Sequence, residues 1–202
     1  MSHYFDPNPK SAHKKQEISG VIGDYRFSFK TDSNTFSPDK LDLGSTLLAE
    51  SADPKPGERV LDLGCGWGLV GIAVAKRVQG IVLTMTDVNS RAVTCAKENA
   101  LRNNIPAEIK VSDGFAALGD ATFDLILFNP PFSAGKKIWQ PIVVEAKERL
   151  SPGGRIMIVG RHSKGGRDTE QFLDELFDNV DTVSRQSGYR VYRSFKKDKQ
   201  DN

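Results

Sequence analysis

Val60-Leu61-Asp62-Leu63-Gly64-Cys65-Gly66-Trp67-Gly68 is the stretch on which the fold turns. An apolar strand runs into a glycine-rich turn, and residues 69–77 (LVGIAVAKR) continue as an apolar helix. Such a turn leaves bare backbone and orphan N–H groups at the helix start, where a ligand can lie against them. Working outward, strand candidates are residues 59–63, 81–86, 108–111, 123–128 and 155–159, with helical stretches over 69–77, 91–102 and 142–150. Glu98 and Arg102 stand at the favourable i,i+4 spacing on the second helix. Ser151-Pro152-Gly153-Gly154 reads as a turn between the third helix and the next strand. Leu125-Ile126-Leu127-Phe128 is wholly apolar, as in a sheet covered on both faces. Strands and helices alternating at this length predict an α/β fold with a doubly wound, mostly parallel sheet.

Both ends depart from that rhythm. Phe172, Leu173, Leu176 and Phe177 give one more amphipathic helix, followed by short strands near 181–185 and 189–195. They are joined through Gln186-Ser187-Gly188, too tight for anything but antiparallel pairing. Near the start, Ile18/Val21/Ile22 and Tyr25/Phe27/Phe29 flank Gly23-Asp24, which predicts a small hairpin. Ser37-Pro38 reads as a helix or turn start, and Leu43, Leu47 and Leu48 share a helical face before Pro54 and Pro56-Gly57. The expected division is a flexible N-terminal arm (1–16), a hairpin-and-helix extension (17–52), the main domain (53–197) and a tail (198–202).

The 202 residues suffice for one large domain. A net charge of +2 names no partner, but its distribution is uneven. Arg185, Arg190, Arg193, Lys196, Lys197 and Lys199 face only Asp198 and Asp201, which fits either a solvated tail or an edge that meets phosphate. Cys65 and Cys95 form no CxxC pair, and His3, His13 and His162 lie far apart without ligand spacing, so no metal site is expected. MSHYFDPNPK lacks the apolar core of a signal peptide, and no stretch reaches the ~18 apolar residues of a membrane span. A cytoplasmic protein is expected.

Gly66, Gly68 and Gly71 also satisfy GxGxxG, the fingerprint of nicotinamide and flavin enzymes. Asp62 decides against a dinucleotide, because a carboxylate just ahead of the glycines suits an ammonium group better than a pyrophosphate. Asp87 ends the next strand, where a carboxylate can take both ribose hydroxyls. Asp113, in Val111-Ser112-Asp113-Gly114, is placed for an adenine amino group. A capping role explains any one of these acids, but not three successive strands ending in Asp at one edge. Asp62, Gly64, Gly66, Gly68, Asp87 and Asp113 are therefore the expected cofactor residues, with Asn129 beside them.

Strand 123–128 runs into Asn129-Pro130-Pro131-Phe132. The bland reading is a rigid turn. Its place at the ligand-bearing edge suggests more. The prolines fix φ and remove donors, leaving the Pro130 carbonyl for a ligand. An exocyclic or amide NH₂ is a poor nucleophile; the Asn129 oxygen and the Pro130 carbonyl can accept its two hydrogens and aim the nitrogen. Phe132 would stack on a base drawn from a duplex or single-stranded loop, with Pro131 beside it. Lys136 and Lys137 follow directly. Arg161-His162-Ser163-Lys164-Gly165-Gly166-Arg167 reads as a flexible basic loop at the same edge. Lys136, Arg161, Lys164 and Arg167 are thus expected to meet phosphate, against the alternative of a solvated lead-in to the next helix.

Over residues 53–195 this arrangement resembles the class I S-adenosylmethionine-dependent methyltransferases. The resemblance implies a Rossmann-like, seven-stranded sheet whose last hairpin strand inserts antiparallel, and S-adenosyl-L-methionine as cofactor. In that superfamily (N/D/S)-P-P-(Y/F) marks amino methyltransferases acting on adenine N6, guanine N2 or a glutamine amide. Phe36-Ser37, Asp42, Gly44, Asn129 to Phe132 with Gly135-Lys136, and Ser187-Gly188-Tyr189 resemble the small-subunit ribosomal RNA guanine-N2 methyltransferases, which implies RNA as partner. Full-length bacterial members carry a second, degenerate copy ahead of the catalytic one, and this sequence matches the catalytic half. Ser133 stands where many members have His. Release-factor glutamine methyltransferases normally carry Tyr at the fourth motif position and a helical N-terminal domain. Adenine N6 remains open on the two acceptors, whereas a nicotinamide-dinucleotide-binding protein is opposed by Asp62.

Overall fold

The computed structural model describes residues 14–33 and 35–197, and the side chain of Lys164 lies outside the described residues. Most of the expected arm and the whole expected tail therefore fall outside it. A two-stranded antiparallel sheet, β1 (Lys15–Ile22) and β2 (Tyr25–Asp32), opens the described chain. Lys15 and Gln16, expected in the arm, are the first residues of β1; Gln16 is tied down by donating to the Pro38 carbonyl and to Asp39 Oδ1. After α1 (Leu43–Ser51) the alternation begins: β3 (Arg59–Leu63), α2 (Leu69–Arg77), β4 (Val82–Asp87), α3 (Ser90–Arg102), β5 (Glu108–Val111) and β6 (Phe123–Phe128). Then follow α4 (Lys136–Arg149), β7 (Leu150–Arg161), α5 (Arg167–Phe177), β8 (Asp181–Gln186) and β9 (Tyr189–Phe195).

Seven strands form one sheet in the order β5-β4-β3-β6-β7-β9-β8. All neighbours pair in parallel except at β9, which runs antiparallel to both β7 and β8. This is the expected seven-stranded methyltransferase-type sheet with its antiparallel insertion. The order reverses between β3 and β6, so their carboxyl ends diverge into a crevice, the usual ligand site of such sheets.

Two apolar layers cover the sheet. One packs the hairpin, α1, α2 and α3 around Phe29, Leu48, Ile72 and Met85; the other packs α4 and α5 around Trp139, Val143 and Leu173. The extension 17–52 therefore shares a core with the main domain. Asn99, buried on α3, accepts from the Lys30 N–H at 2.7 Å and donates to the carbonyls of Lys30 and Trp67 at 2.9 and 2.8 Å. Phe29 packs on Trp67 with ring centroids 4.9 Å apart. Glu98 and Arg102 do not pair with each other. Each reaches across to the hairpin, Glu98 to Lys15 at 2.9 Å and to Lys30 at 3.5 Å and Arg102 to Glu17 at 2.8 Å, because the hairpin offers opposite charges to this face of α3.

Several boundaries shift by one residue, as those of β4 and α3 do, and two differ by more. α4 begins six residues early and carries Pro141 inside it. Pro141 lies in the second turn, where a missing N–H forfeits one helical bond, and burial of Trp139 against Phe132 and Phe172 holds the turn before it. Ser151 to Gly154 are not a turn between elements but an irregularity inside β7: Phe123 pairs Leu150 and Leu125 pairs Arg155, with Gly153 at φ +69°. Its backbone is satisfied by the chain beyond β9, through Gly153 N–H to Lys196 O and Lys196 N–H to Gly154 O.

Candidate functional site

β3 ends in a turn whose glycines all adopt left-handed backbone: Gly64 at φ +69°, Gly66 at +56° and Gly68 at +92°. Gly68 starts α2 without a side-chain cap of its own, and among the first helical N–H groups that of Gly71 is taken by Asp62 Oδ2. A Cβ on Gly71 would lie 2.7 Å from Met85 Sδ and 3.0 Å from Asp62 Oδ2, which is how α2 comes to rest directly on β3 and β4.

A cavity of about 770 Å³ opens across the carboxyl ends of β3, β4 and β6. Of the expected cofactor residues, Asp62, Gly64, Gly66, Asp87, Asp113 and Asn129 line it. Gly68 does not. It sits behind the wall against Ile72 and Ala96, where a Cβ would come 2.8 Å from Ile72 Cδ1. Asp62 is buried, with Oδ2 accepting from the Gly71 N–H at 2.8 Å. Burial pushes its carboxyl up to about 7; the Gly71 N–H opposes this and the nearby Asp87 charge adds to it. Asp87, expected to hold ribose, also ties the loop together: Oδ2 accepts from the Gly66 N–H and Oδ1 from the Asn89 N–H, both at 2.8 Å. Asp113 lies exposed in the bend after β5. Concave bare backbone, a buried acid held short of full ionisation and a second acid beside it fit an elongated nucleoside bearing a cationic end.

The opposite wall carries Asn129, Pro130, Pro131, Phe132 and Ser133. Asn129 Nδ2 donates to Ser45 Oγ at 2.9 Å and to Asp42 Oδ2 at 3.4 Å. The Pro130 carbonyl is not wholly free, because it accepts from the Phe132 N–H at 2.9 Å and keeps one lone pair for a ligand. Phe132 is seated edge-on to Trp139 at 5.6 Å, and a Cβ on Gly160 would come within 3.0 Å of its ring.

The expected basic loop is not a loop. His162–Gly166 form a wide helical turn that winds directly into α5, since Gly166 packs closely on the Arg161 carbonyl and the Tyr192 hydroxyl. Arg161 lines the cavity, with its guanidinium 5.9 Å from the Tyr189 ring centroid. Lys136 and Arg167 lie outside the cavity lining; Lys136 pairs with Asp168 at 3.0 Å, and Arg167 Nε donates to His162 Nε2 at 3.4 Å. Arg161 is thus the member of the expected basic set that the described residues bring to the cavity.

Thr35, Phe36, Ser45, Ile138 and Ile142 line the cavity without having been singled out as site residues from sequence, apart from the Phe36-Ser37 resemblance. Phe36 is fixed there by its carbonyl, which accepts from Trp67 Nε1 at 2.7 Å. The available signal was Asp42-Leu43-Gly44-Ser45, a helix start in which Asp42 accepts from the Ser45 N–H at 2.7 Å. Among the described residues no group of three or more His, Cys, Asp or Glu is placed to hold a metal ion, and no helix is long and apolar enough to cross a membrane.

The sequence profile of the methyltransferase small domain family matches residues 26–193. The chain is 36% identical over 197 residues to the uncharacterized protein YbxB of Bacillus subtilis, covering 96% of this chain and 98% of that protein. It is 32% identical over 161 residues to ribosomal RNA small subunit methyltransferase C of Haemophilus influenzae, covering 78% of this chain and 48% of that protein. The chain therefore spans about half the length of the ribosomal RNA methyltransferases it matches. A solved Thermus thermophilus 16S rRNA N2 methyltransferase, in complex with AdoMet and guanosine, superposes with a TM-score of 0.82 at 28% identity, over 94% of this chain and 52% of that one. With this fold, this glycine loop and a family match across most of its length, the chain belongs to the methyltransferase small domain family of class I S-adenosylmethionine-dependent methyltransferases.

Proposed function

We propose that this chain methylates the exocyclic amino nitrogen of an RNA base, namely guanine N2 of small-subunit ribosomal RNA. The observation that carries the reading is the Asn129 carboxamide, whose nitrogen is held by Ser45 and Asp42 so that its oxygen is the group left for a ligand. When bound, S-adenosylmethionine supplies an electrophilic methyl group on a sulfonium centre. Asp62, once ionised, balances the cofactor's ammonium group; Asp87 meets its ribose hydroxyls and Asp113 its adenine amino group. Asn129 Oδ1 and the remaining Pro130 lone pair accept the two hydrogens of the target NH₂ and aim its nitrogen, so that orientation does the work of a strong base. Phe132, held by Trp139, offers a face to a base taken out of its stack. Arg161 at the rim meets a flanking phosphate without reading sequence.

The similarity to an RNA guanine-N2 methyltransferase supports guanine over adenine. The test is methyl transfer from labelled cofactor to small-subunit RNA and to assembled small subunits, followed by digestion and nucleoside chromatography. Label in N2-methylguanosine is expected. Label in N6-methyladenosine would move the target to adenine, and label found only in protein would overturn the RNA reading.

A further inference from the structure

A carboxamide can face either way, and its neighbours decide which. At Asn129 both fixed neighbours stand on the nitrogen side: Ser45 Oγ at 2.9 Å and Asp42 Oδ2 at 3.4 Å. A carboxylate can only accept, so turning the amide over would set its oxygen against the oxygen of Asp42. Asp42 is itself fixed, since the same Oδ2 accepts the Ser45 N–H at 2.7 Å as the cap of α1. Capping needs that one bond alone. It does not explain why a cap residue and a buried serine of α1 converge on a residue 87 and 84 positions further along the chain, nor why all three line the cavity.

We propose that Ser45 and Asp42 are positioning residues that set the polarity of the acceptor site: they hold Asn129 as a hydrogen-bond acceptor, so that the site takes its methyl acceptor as an N–H donor. This rests on the reading of Asn129 as the group that meets the substrate. The start of α1, outside the parallel-sheet core, thereby selects amines and amides over ring nitrogens and carbonyl oxygens, which present lone pairs. A serine at position 45 serves because its hydroxyl can accept from Asn129 while its own proton turns elsewhere; threonine keeps that group and alanine removes it.

The experiment uses the full chain with Ser45→Ala, Ser45→Thr and Asp42→Asn, and has two independent readouts. In ¹⁵N–¹H spectra without cofactor or RNA, the Asn129 side-chain amide, identified by its loss in Asn129→Asp, is expected to exchange slowly in the parent and in Ser45→Thr, and roughly ten-fold faster in Ser45→Ala, as for loss of one net hydrogen bond. In the methylation assay Ser45→Ala should lower kcat by about ten-fold with unchanged cofactor Kd, and Ser45→Thr should restore it. Asp42→Asn separates polarity from capping, because Asn caps a helix as well as Asp does. It should melt with the parent yet turn over more slowly, because the amide oxygen that takes the place of Oδ2 in the cap is neutral and accepts from Asn129 more weakly than a carboxylate does. Unchanged amide exchange and unchanged kcat in Ser45→Ala and Asp42→Asn would overturn the proposal. A locked amide in a protein that fails to methylate RNA would uphold the lock and sink the RNA reading instead. Should Ser45→Ala not fold, Asp42→Asn and Ser45→Thr carry the same two readouts.

Discussion

The two ends of the central sheet use acidic side chains in opposite ways. At the amino ends of the strands, Asp124 is bound by Arg59 through its backbone N–H at 2.8 Å and its guanidinium at 3.0 Å, which holds the carboxyl down at about 2. Close by, Arg155 is almost wholly buried and forks onto Glu58 at 3.1 Å and Asp53 at 3.2 Å, and Arg193 reaches the other oxygen of Asp53. Every one of those acids has a guanidinium. At the carboxyl ends, Asp62 and Asp87 are gripped by backbone N–H groups, and Asp62 is pushed up by burial and by its acidic neighbour. The first end is closed, its charges spent on joining strands. The second keeps negative charge in reserve beside a cavity. One end fastens the sheet and the other waits for a cationic ligand.

That contrast can be broken at either end. The largest effect belongs to Asn129→Ala at the carboxyl end: kcat should fall by roughly 10²–10³ while cofactor affinity and melting stay near the parent, as for loss of one preorganised group. Near-normal turnover in steady-state kinetics would remove Asn129 from the chemistry. At the amino end Arg155→Ala should do the reverse, costing about 2–3 kcal/mol of stability in denaturant titration with turnover unchanged; its partners are partly solvated, which keeps the loss below that of a fully buried pair. A stable but inactive Arg155→Ala would mean that the closed end serves function after all.

Asp87→Ala tests whether the waiting charge holds cofactor. It should lose ~1.5–3 kcal/mol of S-adenosylmethionine binding by calorimetry, the usual value of hydrogen bonds to a charged group. Unchanged affinity would reduce Asp87 to its grip on Gly66 and Asn89. The last comparison is in pH, and the two ends have opposite signs. Asp62 has a raised folded pKa, so the native state holds a proton that the unfolded chain has released between about 4 and 7. Stability of the cofactor-free protein should therefore fall as pH rises through that window, by at most about 1.4 kcal/mol per pH unit. Asp124 has a lowered folded pKa, so its contribution is present above about 4 and is lost as pH falls toward 2. Stability curves of the parent and Asp62→Asn should diverge between pH 4 and 7; superimposable curves would show Asp62 ionised in the apo protein.

How much of this was legible in the sequence follows from how local each feature is. The β3–turn–α2 unit could be read because strand, glycines and helix are consecutive, and the ends of β3, β5, β6 and α2 fall where the pattern puts them. Asp62 and Asp87 were legible as strand ends. Their gripping by Gly71, Gly66 and Asn89 was not, since it depends on how the turn folds back. Ser151-Pro152-Gly153-Gly154 has the composition of a turn, and only pairing with β6 and the end of β9 makes it part of a strand. Residues 161–167 were read as loop from Gly165-Gly166, whereas close packing on Tyr192 winds them into a helical turn. The substrate side was hardest, because Phe36, Ser45, Asn129 and Ile138 come together from segments far apart in sequence.

Asn99 has a consequence for keeping molecules apart. Lys30 turns its N–H and C=O outward from the two-stranded sheet, and such outward groups on a lone hairpin are a template for pairing with a strand of another chain. The Asn99 side chain occupies both, mimicking one residue of an adjacent strand, and with its second proton holds the Trp67 carbonyl of the glycine turn. The buried Asn99 amide thus blunts the edge at Lys30 and pins the turn, and Asn103 Nδ2 covers the Ser28 carbonyl two residues along the same edge. Whatever lifts α3 away exposes a recruiting edge at the same moment as it loosens the cofactor turn, so loss of the working conformation and onset of self-association begin at one helix.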